Sequence, residues 1–342
     1  MPTIKEVVQV LEQVAPPMYQ ESYDNAGLIV GDASIEVTGV LTCLDSTEAV
    51  IEEAVAKGCN LVVAHHPIVF KGLKRFTGKN YVERTVIKAI QQGVAIYAIH
   101  TNLDNVYNQG VNQRIAGQLG LEQQKILAPK QKGSILSAYV LPSRKNSLLK
   151  DLRALGIADK DIYIGSPSGG NVLTGMPRLE ILLLENQKRN AVRILKKNYV
   201  QQYNFQHSEA PTPTIGSGMI GQLPEPMNVF VFFEYLKEKM QVTCIKYTNP
   251  LDKPIEKVAV CGGAGGFLLK SAIAQGADIF ITADYKYHEF FDADSKIIIA
   301  DIGHFESEQF TIPLLKEIIS NKFSTFAVYE TEVRTNPVSY FV

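Results

Sequence analysis

The chain has 342 residues, 46% of them apolar and 20% charged, with a formal net charge of −1. That length accommodates two domains, and the composition is that of an ordinary globular protein with an ample core, which argues against a disordered or fibrous chain. The near-neutral balance gives no global attraction to nucleic acid or to an anionic membrane surface.

The four cysteines, Cys43, Cys59, Cys244 and Cys261, show no CxxC spacing, which argues against a disulfide framework or zinc knuckle and fits a reducing cytoplasm. The opening MPTIKEVVQVLEQVAPP carries acidic residues inside an amphipathic pattern, so it reads as a first helix rather than a signal peptide or membrane span. Thr3 and Glu6 have the spacing of a capping box, and Pro16-Pro17 ends the helix. Next, Tyr23-Asp24-Asn25 forms a polar turn into a short strand ending at Gly31; Asp24 and Asn25 either cap that turn or serve a nearby site.

Gly39 to Leu44 predicts a strand, Ser46 to Lys57 a helix opened by a Ser/Thr cap and closed by Gly58, and Asn60 to Ala64 the next strand. Ligands gather at the carboxyl ends of strands in open α/β sheets, and here those ends carry Asp45 and the pair His65-His66. Adjacent residues of an extended strand point to opposite faces, so both imidazoles serve one site only where the chain leaves the sheet, as Pro67 predicts. Rings that diverge there suit two metal ions in one cleft better than one ion chelated by neighbours. A helix over Tyr81 to Gln92 and a strand over Val94 to Ile99 follow, ending in His100-Thr101-Asn102-Leu103-Asp104.

From Pro129 to about Thr214 the strand-end ligand pattern stops, and the edges are rich in proline. The tract reads as an inserted domain, residues 129–213. Its strands (Ser134 to Leu141, near Ile162, Leu179 to Leu184, near Gln202) and helices (Asn146 to Leu155, Gln187 to Tyr199) suit a ferredoxin-like βαββαβ order. Its one histidine, His207, reads as a surface or edge residue.

After the insert come a helix over Val229 to Lys239, a strand over Glu256 to Cys261, the run Gly262-Gly263-Ala264-Gly265-Gly266 and a helix over Phe267 to Gln275. The run fits neither a Walker A loop nor GxGxxG, which leaves an anion-accepting helix N-terminus or simply a tight turn. Setting Cys43 against Cys261 also aligns Ala54 with Ala272, Ala56 with Ala274 and Gly58 with Gly276, a repeat that puts His66 opposite Asp284. The loop Ala283 to His288 would then face the same cleft. Finally, a strand over Lys296 to Asp301 runs through Gly303 into His304 and Glu308, four apart and so on one face of a helix.

Ligand-type residues thus collect at strand ends: His65, His66, His100, Asp104, His288, His304 and Glu308. Imidazole with carboxylate and no thiolate suits Zn, Mn, Fe or Co, and a two-metal site shares a carboxylate between its ions. The ordered motifs YDNAGLIVG, HHPIVF, HTNLD, CGGAGG and DIGHFESE resemble the GTP cyclohydrolase 1 type 2 family, also called Nif-three-like or YbgI-type dinuclear-metal proteins. Tyr23 stands where that family usually has Trp.

The resemblance covers residues 1–128 and 214–342. It implies an α/β domain of two pseudo-repeated βαβ halves interrupted by a ferredoxin-like or PII-like insert, and a toroidal homohexamer. It also implies two divalent ions, zinc foremost, held by His65, His66, Asp104, His304 and Glu308, with His100 and His288 close by as proton carriers. The expected function is a metal-dependent hydrolase acting on a nucleotide-like substrate. The alternative is a non-catalytic metal-binding ring for sensing, metal delivery or protein interaction.

Overall fold

The computed structural model describes residues 1–130, 132–155, 157, 162–165, 176–183, 187–211 and 215–341. The chain divides into two compact units, one of Met1–Ala128 with Pro213–Val342 and the other of Pro129–Thr212.

The helix Ile4–Val14 starts at Thr3, whose side chain accepts from the Glu6 amide while Glu6 accepts from the Thr3 amide at 2.7 Å, the reciprocal cap that the spacing predicts. Strands β1 (Gly27–Val30), β2 (Gly39–Cys43), β3 (Leu61–Ala64) and β4 (Ala95–Ala98) follow, with the helix Glu48–Ala56 after β2 and Tyr81–Gln92 after β3. Strands β2, β3 and β4 run parallel, and β1 lies antiparallel on the edge of β4. Gly58 and Gly93 adopt the left-handed conformation that ends each helix, φ 69° and 66°.

Strand β5 (Glu122–Pro129) precedes the second unit, which holds β6 (Lys132–Tyr139), β7 (Ile162–Gly165), β8 (Arg178–Leu183) and β9 (Tyr203–Pro211). Their order in the sheet is β7-β8-β6-β9 with every neighbour antiparallel. The helices Lys145–Ala154 and Lys188–Lys197 bury Leu148, Leu152, Ala191 and Leu195 with Leu136, Leu179 and Ile181 in a core of its own. Residues Leu184, Pro213 and Thr214 and the side chain of His207 lie outside the described residues.

The remaining strands are β10 (Gly216–Met227), β11 (Lys246–Tyr247), β12 (Ile255–Ala264), β13 (Ile279–Ala283), β14 (Ile298–Asp301) and β15 (Ala327–Glu330). In the first unit one sheet runs β1-β4-β3-β2-β15 and the other β11-β14-β13-β12-β10-β5. Both central triplets are parallel, and their strands are buried on both faces, which is why they read as unbroken apolar runs. Alternate residues serve different cores: Val63 packs with Val260 and Ile281 in a core that includes the helices Ile4–Val14 and Thr311–Ser320, whereas Val62 packs with Val50 and Val86. Strands β5, β10 and β15 escape the sequence patterns because they carry glutamine, glycine, proline and half-exposed positions rather than a clean alternation. Among the described residues no helix is long and apolar enough to cross a membrane.

Candidate metal centre

Parallel strands end together, and that is what assembles this site from distant sequence. Past the end of β3, the amides of His65 and His66 donate to the carbonyls of Cys43 (3.1 Å) and Leu44 (2.9 Å), so the chain stays bonded to its neighbour through both histidines, whose ring centroids lie 4.8 Å apart. His100 follows β4, and the short helical turn Thr101–Asp104 brings Asp104 back to it. After β14, Gly303 at φ 93° allows an abrupt turn into the helix His304–Glu308.

The donor atoms fall into three groups lying within 4.8 Å of one another: His65, His66 and His100; His66, His304 and Glu308; His65, Asp104 and Glu308. Glu308 is buried and central. Its Oε2 meets His66 Nε2 at 3.0 Å and His304 Nε2 at 3.2 Å, and its Oε1 lies 3.8 Å from His65 Nε2. Each histidine is held from behind at Nδ1: His65 by the Ile99 carbonyl (2.9 Å), His66 by Asp45 (2.8 Å), His100 by Asp24 (2.7 Å) and His304 by Asp284 (2.7 Å). This bond fixes the ring and turns Nε2 toward the cluster as the coordinating nitrogen, the arrangement that metal-binding histidines show.

The cluster fits a metal on its own evidence. His65 Nε2 and Asp104 Oδ1 are buried, 3.6 Å apart, and neither has a hydrogen-bond partner. Leaving such groups unsatisfied is costly, by about 1–3 kcal/mol each, unless a cation takes their lone pairs. Charge says the same. Burial, then the charge of Glu308, push the Asp104 carboxyl up, while Glu308, although raised by burial, is held well below the usual range by His304, His65 and His66. Burial lowers His66 and His304, yet Asp45 and Glu308 raise the first to about 10, and Glu308 with Asp284 raises the second to about 9. Protons are drawn onto imidazoles here because the carboxylates call for positive charge that a metal can supply instead.

The glycine run has a local cause. Gly263 sits at φ 61°, and a Cβ there would stand 2.5 Å from Glu308 Oε1 and 3.1 Å from the His304 ring. At Gly262 it would stand 3.1 Å from Glu308 Cγ. These two glycines, inside β12, make room for the carboxylate and the imidazole.

A cavity of about 770 Å³ opens over the cluster and is lined by His66, His100, Asp104, His304 and Glu308 among others. Asp24 turns out to have a role near the site rather than only in its turn: besides holding His100 it accepts from the amide (3.1 Å) and hydroxyl of Thr101. Asn25 instead donates to the Val69 carbonyl, 2.7 Å away. Of the loop Ala283 to His288, Asp284 reaches the cavity and His288 does not. Asp284 takes φ 59°, and the following 3-10 turn Tyr287–Ala293 carries His288 out to solvent beside Tyr287.

Sequence patterns also miss the stretch 331–341. It has no regular structure, yet Asn336, Pro337, Val338 and Tyr340 line the cavity, and the Thr335 hydroxyl donates to Asp45 Oδ2 at 2.9 Å. The one signal for it is its polar TNP triplet.

A model of the family described as Duf34/NIF3 (NGG1p interacting factor 3) matches residues 2–337. A Staphylococcus epidermidis protein (strain RP62A) named GTP cyclohydrolase 1 type 2 homolog is 32% identical, over 98% of this chain and 99% of its own. Among solved structures, Staphylococcus aureus protein SA1388 has a TM-score of 0.84 at 28% identity over 99% of each chain. A Bacillus cereus protein related to NIF3 has a TM-score of 0.80 at 28% identity, covering 100% of this chain and 99% of that one. Motifs, fold and full-length similarity agree: the chain belongs to the Duf34/NIF3 family.

Proposed function

We propose that the chain binds two divalent metal ions and works as a metal-dependent hydrolase on a nucleotide-like substrate, in the sense of the name its relatives carry. The observation that carries this reading is Glu308, buried and shared between the group with His66 and His304 and the group with His65 and Asp104. These five residues are the proposed ligands. Zinc comes first, and iron, manganese or cobalt also suit imidazole with carboxylate. When bound, such ions supply Lewis acidity and a water whose pKa falls toward ~7.

The chain's own residues supply the proton handling. Asp24 holds the Nδ1 proton of His100, so Nε2 is the atom that takes a proton from, or returns one to, a group in the cavity. His288, expected from the sequence to share this work, faces solvent in this chain and has no geometric support for it.

A second reading, a non-catalytic metal-binding ring for sensing, delivery or protein interaction, is favoured by one observation. Lys246 is the cavity's single lysine or arginine among the described residues, and Asp301 engages it at 2.6 Å, so no basic side chain is set to hold substrate phosphates. Turnover of a nucleotide panel by metal-reconstituted protein separates the two: hydrolysis abolished by Glu308→Ala supports the enzyme, and no turnover of any nucleotide supports the ring.

The proposal extends to a cytoplasmic, toroidal homohexamer and to two domains, residues 1–128 with 214–342 and residues 129–213. The antiparallel order β7-β8-β6-β9 supports a ferredoxin-like insert. The pseudo-repeat is supported by the two parallel triplets, each flanked by a short antiparallel strand, β1 or β11, and by Gly58 and Gly276 at φ 69° and 71°.

A further inference from the structure

The cavity over the cluster has a charge and a hydrogen-bonding character that narrow what it receives. Besides the four carboxylates already placed there, Asp45, Asp104, Asp284 and Glu308, it is lined by Glu21, Asp301 and Glu306. Two divalent ions, Lys246 on Asp301 and Arg334, 4.0 Å from Glu306, together match six of these seven negative charges, so the loaded cavity stays anionic. A triphosphate entering it meets like charge in a partly desolvated space, where repulsion is far stronger than in bulk water.

Four side-chain donors of the lining are already engaged. Asn112 donates to the Asp104 carbonyl (3.0 Å), Ser217 to Asn105 (2.9 Å), Asn336 to Glu306 (2.8 Å) and Lys246 to Asp301. The seven carboxylates outnumber those donors, and each has more lone pairs than its present partners use, so they call for N–H donors on the ligand. Three aromatic rings stand at the same cavity largely in solvent: Tyr23 is 66% exposed, Phe70 49% and Phe267 68%. Flat rings left in water beside a polar cavity are what a planar heterocycle stacks on.

We infer that this cavity takes an uncharged, amine-bearing heterocycle, a nucleobase or nucleoside, in preference to a nucleoside polyphosphate. The inference rests on the reading that a nucleotide-like molecule binds here, and it names which part of such a molecule the chain recognises.

The test is equilibrium binding, by calorimetry or ligand-observed NMR, of guanosine, GTP and pyrophosphate to the metal-loaded full-length protein. Guanosine is expected to bind at least ~10-fold more tightly than GTP, with pyrophosphate weakest. GTP binding should strengthen as added salt screens the cavity's charge. Tyr23→Ala and Phe267→Ala, both at exposed positions, should each weaken guanosine at least ~5-fold, the loss of one stacking platform. GTP or pyrophosphate binding more tightly than guanosine, no guanosine binding, or unchanged affinity in both variants overturns the inference. Guanosine bound with no turnover of any nucleotide ends the hydrolase reading and leaves this one standing; tight GTP binding with turnover does the reverse.

Discussion

Thr335 reaches across 290 residues of sequence to donate its hydroxyl to Asp45, whose other oxygen accepts His66 Nδ1 at 2.8 Å. Asp45 is thereby oriented from one side and orients the imidazole on the other. Residues that hold a ligating histidine typically govern metal affinity ~10–100-fold. Asp45→Ala is expected to weaken metal retention within that range and Thr335→Val by less, both read by competition with a chromophoric chelator. Equal affinity in all three proteins would show that His66 needs no such support.

Glu308→Ala removes the carboxylate common to two donor groups. Metal content, by elemental analysis after reconstitution, should fall from two ions per chain to one or none, with far-ultraviolet circular dichroism unchanged. Full retention of two ions would remove Glu308 from the ligand set.

Two glycines in the left-handed region make a controlled pair. Gly263→Ala and Gly276→Ala both force a side chain into positive φ, at a cost of roughly 1–2 kcal/mol of stability, but a Cβ at Gly276 meets nothing within 4 Å while one at Gly263 meets Glu308 and His304. Both variants should melt earlier, and only Gly263→Ala should lose metal. Metal loss in both would mean that the loss reflects general destabilisation.

The raised imidazoles give the metal-free protein a characteristic pH response. An unfolded histidine titrates at about 6.5, whereas folded His66 and His304 titrate at about 10 and about 9. Their contribution to folding is therefore complete below about 6.5 and is lost as pH rises through 9 to 10. Chelated protein should show a melting temperature that falls by at least ~2 °C between these limits. Metal-loaded protein, with neutral ligating imidazoles, should lack that component. A chelated protein whose melting point stays level or rises over this range contradicts the assignment.

All five proposed ligands lie in the unit Met1–Ala128 with Pro213–Val342, and the other unit has its own core. Joining Pro129 to Gly216 through a short Gly/Ser linker should leave a soluble protein that still takes up two ions. Folded, soluble protein without metal would place the insert in the site.

Much of the centre was legible because its residues follow apolar runs that could only be buried strands. Leu61 to Ala64 ending in His65-His66, and Ile298 to Asp301 turning through Gly303 to His304, announce themselves by composition alone. Asp24 was ambiguous since a turn cap and a histidine partner look alike until β4 brings His100 to it. His288 was misleading for a related reason: it follows the right strand end, but direction is set by the backbone after Asp284, which no side-chain pattern encodes. The stretch 331–341 left only its TNP triplet as a signal because side-chain hydrogen bonds, not periodic burial, hold it in place.

The long separations within the cluster constrain when it can form during synthesis. His66 meets Glu308 across 242 residues, so a ribosome that has produced the entire first half and the insert has yet to deliver the residue common to two donor groups. Closing loops of that length is unfavourable until the intervening units have folded and shortened them. The full donor set therefore comes together only after His304 and Glu308 have been made, well after the group of His65, His66 and His100 is in hand.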